Sequence, residues 1–339
     1  MSRPAEFGFT SGYAHANGVR LHYVRTGDPG EGGGAGGQGG SSRLPLILLH
    51  GWPEFWQTWR KLMPLLADQF DVIAPDLRGF GQSDKPSFGP SRRQTADVMA
   101  ADIIGLADAL GLKRFGLVGH DVGAMVMQSI ARVAPVRVAG LVFFNCPYPG
   151  IGQRWYGADH VGEVWYQSFH QLPWAAKLVG SSRETCALYV RHFLTHWSAR
   201  ANAFDEDFND WVDNFMRPGN LQGGFNWYLS VHETRMAIAR GELPPPPPIP
   251  LPTSVLWGRH DPVLKAEWAD RIPEFFPNAT VAVCENAGHF VQYEAPEEAA
   301  AVVLAAFRPP DPVQAETDAG AAPAETHGGR RASSSPAAG

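Results

Sequence analysis

GHDVGA, residues 119–124, is the stretch on which the reading of this chain turns. It closes the apolar run RFGLVGHD (114–121) and opens AMVMQSIARVA (124–134), whose composition is helical. A strand that passes into a helix this abruptly needs small residues around the turn, and Gly119, Gly123 and Ala124 supply them. The pattern is that of a G-x-S-x-G nucleophile elbow, except that Asp121 occupies the serine position. A carboxylate does not form the acyl-enzyme of serine hydrolases, so either Asp121 caps the next helix or it serves a different reaction.

On both sides of this turn, short apolar runs alternate with amphipathic segments. LPLILLHG (44–51), FDVIAPDLRG (70–79), RVAGLVFFNCP (137–147), PTSVLWGRHD (252–261) and ATVAVCENAGH (279–289) are continuous enough to predict strands buried on both faces of a parallel sheet. Between them, 95–111 carries Met99, Ile103, Leu106 and Leu110 on one helical stripe, with Thr95 as cap and Gly111 as stop. YAHANGVRLHYVRTG (13–27) predicts a hairpin turning at Asn17-Gly18. The alternation predicts a doubly wound α/β sheet, and it breaks between about 148 and 243, where aromatic-rich helical sequence runs without strands. GELPPPPPIPLP (241–252), a stiff spacer, returns the chain to the sheet. The domain reading is therefore a core of 1–147 and 249–309, interrupted by a helical cap of 148–248. The glycine-rich 28–42 reads as a flexible loop, and with no G-K-[ST] after it, not as a phosphate loop. The Pro/Ala/Gly/Ser-rich tail 310–339 reads as disordered.

Composition narrows the function classes. The 339 residues are 44% apolar and 18% charged, as in a soluble globular enzyme, and the net charge of −6 speaks against a nucleic-acid partner. Cys146, Cys186 and Cys284 are widely spaced, odd in number and lack a CxxC pair, which fits reduced thiols. No secretory h-region and no membrane-length apolar run is present. The expectation is a cytoplasmic protein, with monomer and homodimer both open.

Two polar positions past the ends of late strands give Asp121 its partners. GRHDPV offers Asp261 and NAGHF offers His289, in the order nucleophile, acid, histidine that elbow enzymes follow. FFNCPYP places Asn145 after the preceding strand, so Asp261 is the better orienting acid. An oxyanion hole needs backbone N–H groups beside the nucleophile. Val122 supplies one, and Trp52 in HGWPE (50–54), at the end of another strand, the second. Pro53 fixes that turn, where an X-Pro bond admits the cis form. His50 and His120 beside these turns read as packed supports rather than bases. His192 and His196 in RHFLTHW have zinc-helix spacing, but Phe193 replaces the glutamate of HExxH, so no metal is expected.

Taken together, HGWPE, DLRGFGQSD (76–84), GHDVGA, GRHD and AGHF resemble the α/β-hydrolase fold, in the branch holding epoxide hydrolases and haloalkane or haloacetate dehalogenases. The resemblance implies a mostly parallel eight-stranded sheet flanked by helices, with a helical cap inserted after the sixth strand. It also implies that Asp121 attacks a saturated carbon to form an ester, which water activated by His289 and Asp261 then hydrolyses, without metal or organic cofactor. VWYQSFHQLPW (164–174) and GGFNWYLSVHE (223–233) are similar to the two epoxide-hydrolase segments that carry ring-opening tyrosines, matching Tyr166 and Tyr228. Haloalkane dehalogenases usually place tryptophan directly after the nucleophile, where this chain has Val122; many epoxide hydrolases have tryptophan there too. Fluoroacetate dehalogenases carry two arginines shortly after the nucleophile and a cap His-Trp pair. Here the first arginine after Asp121 is Arg132, and the cap pair reads Tyr166-Gln167. The expected activity is hydrolysis of an apolar epoxide by water to a vicinal diol, with a dehalogenase or a non-catalytic binding protein of the same fold as alternatives. Trp155, Trp165, Phe169, Trp174, Phe225 and Trp227 are expected in cap core and pocket lining.

Overall fold

The structure, a computed structural model, describes residues 4–26, 43–89 and 93–308; the glycine-rich 28–42 stretch and the tail from 310 lie outside them. Eight strands form one sheet: β1 (Phe9–Ala16), β2 (Val19–Thr26), β3 (Leu44–Leu49), β4 (Phe70–Pro75), β5 (Phe115–His120), β6 (Val138–Phe144), β7 (Thr253–Gly258) and β8 (Ala279–Cys284). Their order is β1-β2-β4-β3-β5-β6-β7-β8. β1 and β2 pair antiparallel, as do β2 and β4, and every pairing from β4 to β8 is parallel. The hairpin turns where its residues require, with Asn17 at φ 47° and Gly18 at φ 75°.

Of the helices, those that matter for the site are α1 (Ala96–Ala109), α2 (Val122–Val133), α3 (Trp165–Phe169), α4 (Arg183–His196), α5 (Phe208–Phe215), α6 (Asn220–Ala239) and α7 (Pro296–Ala306). Thr95 caps α1 by accepting the Val98 N–H at 3.3 Å, and Met99, Ile103 and Leu106 are fully buried against the sheet. Each such side chain contributes about 1.5–3 kcal/mol relative to exposure. Between β6 and β7 the described chain is helical or irregular, without a strand, as the break in alternation predicts. The proline run then delivers Ile249, whose N–H donates to Phe275 O at 2.8 Å just before β7 begins.

One strand departs from expectation. β4 and β5 are buried at every residue, but β8 is exposed at three of its six positions. Sheet order is the reason: β8 pairs with β7 alone and closes the sheet, so its apolar run is not buried on both faces.

Parallel pairing sends the carboxyl ends of β3, β5, β6, β7 and β8 to one edge, and β3 lies at the switch point between β4 and β5. The elbow reaches that edge because Gly123 lets α2 touch β3. A Cβ at Gly123 lies 2.0 Å from the Leu49 carbonyl oxygen, a backbone atom that does not move independently of the sheet. Gly123→Ala therefore separates α2 from β3 and costs about 1–3 kcal/mol, read as a lower urea midpoint. An unchanged midpoint contradicts this packing.

Candidate active site

Asp121 opens α2 with φ 48° and ψ −115°, a conformation that non-glycine residues rarely hold. Such strain costs on the order of 1–3 kcal/mol and fixes the carboxylate at the sheet edge. The Trp52 N–H donates to Asp121 Oδ1 at 3.1 Å, so one expected hole donor already faces a carboxylate oxygen. Gly51 makes this approach possible, because a Cβ there sits 2.5 Å from the Asp121 Cβ. The Trp52–Pro53 bond is cis. Val122 is buried as the first residue of α2, which places its N–H next to Asp121.

The end of β8 brings His289 beneath the helical layer, fully buried, with Nδ1 2.7 Å from Asp261 Oδ2. A carboxylate only accepts, so Nδ1 carries the proton. Asp261 is itself held from several sides. Its Oδ1 accepts the N–H groups of Val263 (2.8 Å) and Leu264 (2.9 Å), and its Oδ2 also accepts from the Asn145 amide. Asn145, at φ 43°, accepts the Gly258 N–H at 2.8 Å, tying β6 to β7 below the acid. Burial by itself lowers the His289 pKa. The charge and hydrogen bond of Asp261, with the charges of Asp121 and Glu54, outweigh it and raise the value to about 9. His289 Nε2 is buried and bonded to no other described residue.

Under the elbow lies a second acid–histidine pair that sequence reasoning did not assemble. His120 Nδ1 is 2.6 Å from Glu54 Oε2, and both side chains are fully buried. Glu54 also accepts from Gly51 N (2.6 Å), Thr58 Oγ1 (2.5 Å) and Gln292 Nε2 (2.7 Å). Burial raises its pKa, but the charge and hydrogen bond of His120, with the Thr58 bond and the His50 charge, hold it at about 2. The His120 ring lies 4.5 Å from that of His289. The signals were in view, with the glutamate closing HGWPE and the histidine preceding Asp121. Only the sheet order brings them together. His50 is a support as expected, its Nε2 accepting the Leu77 N–H at 3.0 Å.

Both cap tyrosines are buried and meet above Trp52. Tyr166 stacks on Trp52 with centroids 5.3 Å apart, Tyr228 meets Trp52 edge-on at 5.9 Å, and the two phenol rings lie 5.6 Å apart. Burial, reinforced by the negative charge of Asp121, pushes both phenols above their ordinary pKa and keeps them protonated. His170, one turn after Tyr166, stacks on Phe225 at 3.8 Å and touches Trp52 and Tyr228; its Nε2 meets Tyr189 Oη at 2.7 Å. Burial holds this imidazole neutral, well below its ordinary pKa.

Two aromatics expected in core or pocket lining lie outside the core. Trp165 and Trp174 are 43% and 51% exposed, so neither is core. α3 turns Tyr166 inward and leaves Trp165 on its flank, while Trp174 stands at the start of the following short helix. Phe225 and Trp227 are buried, and Trp155 and Phe169 are half-buried. His196 Nε2 pairs with Glu163 at 2.7 Å. Two surface clefts, of about 310 and 250 Å³, are lined by residues such as Met216 and Arg217, or Arg200 and His260, and neither lining includes Asp121, Asp261 or His289. Among the described residues no helix is long and apolar enough to cross a membrane.

The α/β-hydrolase fold family model matches residues 45–296. The soluble epoxide hydrolase of Corynebacterium sp. (strain C12) is 32% identical over 309 residues, covering 87% of this chain and 96% of that one. Mouse epoxide hydrolase 4 is 29% identical, covering 83% and 74%. Among solved structures, the epoxide hydrolase CorEH without ligand superposes with a TM-score of 0.72 at 30% identity, covering 88% of this chain and 98% of that one. A protein described as a putative acyltransferase from Salmonella enterica superposes at 0.75 with 26% identity, covering 88% and 94%. The architecture and the family model define an α/β hydrolase, and the relatives narrow the class: the chain belongs to the epoxide hydrolase family of that fold.

The ionisation of His289 yields a prediction. Its folded-state pKa of about 9 lies above the unfolded value of 6.5, so its interactions stabilise the fold fully below pH 6.5 and are lost as pH rises through 9. NMR titration of the His289 ring should show a midpoint near 9 that falls in Asp261→Asn. A midpoint at the ordinary histidine value contradicts the pairing.

Proposed function

We propose that this protein hydrolyses an apolar epoxide to a vicinal diol through an ester on Asp121. The observation that carries the reading is the pair of buried, protonated tyrosines, Tyr166 and Tyr228, facing each other over Trp52, whose N–H bonds the Asp121 carboxylate. Asp121 attacks an epoxide carbon, the carbon–oxygen bond breaks, and a tyrosine hydroxyl donates to the oxygen as it becomes alkoxide. Without that donor the leaving oxygen is a strong base, whereas a halide needs no proton; the tyrosines therefore favour epoxide over the dehalogenase reading.

The second step makes opposite demands on His289. As a base it must be neutral, yet in the free enzyme it is held as imidazolium, in part by the charge of Asp121. Formation of the ester removes that charge, so the same event that creates the intermediate makes His289 easier to deprotonate. Neutral His289 takes a proton from water through Nε2, with Asp261 holding the other nitrogen. The hydroxide attacks the Asp121 ester carbonyl, and the Trp52 and Val122 N–H groups receive the oxyanion. Collapse breaks the bond between the carbonyl carbon and the diol oxygen, which takes the proton back from His289, and restores the Asp121 carboxylate. The aromatic walls of Trp52, Tyr166, Phe225 and Tyr228 suit an apolar substituent. The reading invokes no metal or organic cofactor, and the triad distinguishes it from a non-catalytic binding protein.

A panel of aryl and aliphatic epoxides assayed for diol tests the proposal. Tyr166→Phe/Tyr228→Phe is expected to lose about 10²–10⁴-fold in kcat for epoxides. Full epoxide turnover by that variant, or halide release from haloalkanes with no diol from any epoxide, overturns it.

A further inference from the structure

The hairpin edge of the sheet carries a Ser–His–Asp chain that the reaction at Asp121 does not use. On β1, the exposed Ser11 places Oγ 2.8 Å from Nε2 of His22 on β2. The other ring nitrogen of His22, Nδ1, lies 2.8 Å from Oδ2 of Asp76, which follows β4. His22 and Asp76 are fully buried, and only the serine reaches the surface. The register explains the meeting: Tyr13 pairs with His22 and Ser11 with Val24, so Ser11 and His22 are diagonal neighbours on one face of an antiparallel pair.

Each member is fixed in the role that acyl transfer requires. Asp76 accepts the N–H groups of Trp56 and Gln82, both at 2.8 Å, so its carboxylate is rigid and ionised. As an acceptor it sets the proton on His22 Nδ1 and leaves Nε2 to accept from Ser11. The His22 backbone is held as well, its N–H donating to Ser83 Oγ at 2.9 Å and its carbonyl accepting from Asp76 N at 2.9 Å. The Gln82 amide stands 3.3 Å from the same Nε2, within reach of an oxygen bound beside Ser11. The Tyr13 ring lies tilted against His22 at 5.2 Å and carries the Arg20 guanidinium 4.6 Å from its centroid.

We propose that Ser11, with His22 as its base and Asp76 orienting that base, is a nucleophilic serine on the surface that accepts acyl groups from small activated esters. Ser11 Oγ attacks the ester carbonyl carbon, its proton passes to His22 Nε2, and the carbon–oxygen bond to the leaving alcohol breaks. The alcohol leaves with the proton that His22 returns, and the acyl group stays on Ser11. A phosphonofluoridate probes the same chemistry: the P–O bond to Ser11 forms, the P–F bond breaks and fluoride leaves.

The test uses the full chain, a small alkyl phosphonofluoridate and peptide mass spectrometry. Ser11 should be labelled at least about 100-fold faster than Ser181 and Ser182, exposed serines whose hydroxyls bond Thr185. Ser11→Ala should abolish the adduct and leave epoxide turnover unchanged, and Asp121→Asn should keep the adduct. His22→Gln, if its far-UV circular dichroism matches the parent, should label Ser11 no faster than Ser181. The comparison among serines in the parent protein decides the matter even where the His22 variant fails to fold. No adduct on Ser11, labelling at the rate of Ser181, or unchanged labelling in a folded His22→Gln overturns the proposal.

Discussion

The hydrogen bond between His289 and Asp261, 2.7 Å long and shielded from solvent at both ends, is the interaction around which this site is built. A buried carboxylate beside a buried imidazole is stable only when its remaining lone pairs are satisfied. The chain meets that requirement with backbone, since Val263 and Leu264 donate N–H groups to Asp261, and with Asn145, which is itself pinned by Gly258. Three strand ends, those of β6, β7 and β8, are thereby locked together. The proton distribution of the site follows from this arrangement. An imidazole that burial alone makes neutral becomes imidazolium because the acid is held so firmly.

The same economy recurs on the other side of Asp121. Glu54 and His120 form a parallel pair whose carboxylate also grips Gly51, Thr58 and Gln292. It anchors the loop that presents the Trp52 N–H, so the hole donor and the elbow rest on one buried acid. Asp121 thus lies between two acid–histidine pairs, and its own charge is part of what keeps His289 protonated. In the proposed reaction, alkylation of Asp121 would alter that balance at the moment when a base is needed.

How much of this was legible in the sequence follows from the range of each interaction. The elbow rests on Gly119, Asp121 and Gly123, three residues within a five-residue span, and its local sterics are readable directly. Asp261 and His289 were found because a polar residue just past an apolar strand has only one place to go in a parallel sheet. Tyr166 and Tyr228 came from resemblance; nothing in the helical periodicity distinguishes them from core aromatics. Interactions set by strand order alone were not visible. Gln292 bonds Glu54 across 238 positions, and Asn145, discounted as an acid, proved to hold the acid in place. The exposure of β8 and of Trp165 and Trp174 was missed for a related reason, because an apolar run does not say which strand ends a sheet or which flank of a short helix is covered.

The central claim is that Asp121, and not water, makes the first bond to carbon. A single turnover in oxygen-18 water with enzyme in excess over epoxide tests it most directly. The first diol should carry only ordinary oxygen, one atom from the epoxide and one from Asp121, and heavy oxygen should appear on the Asp121 peptide. Heavy oxygen in the first diol, with the peptide unlabelled, would contradict it.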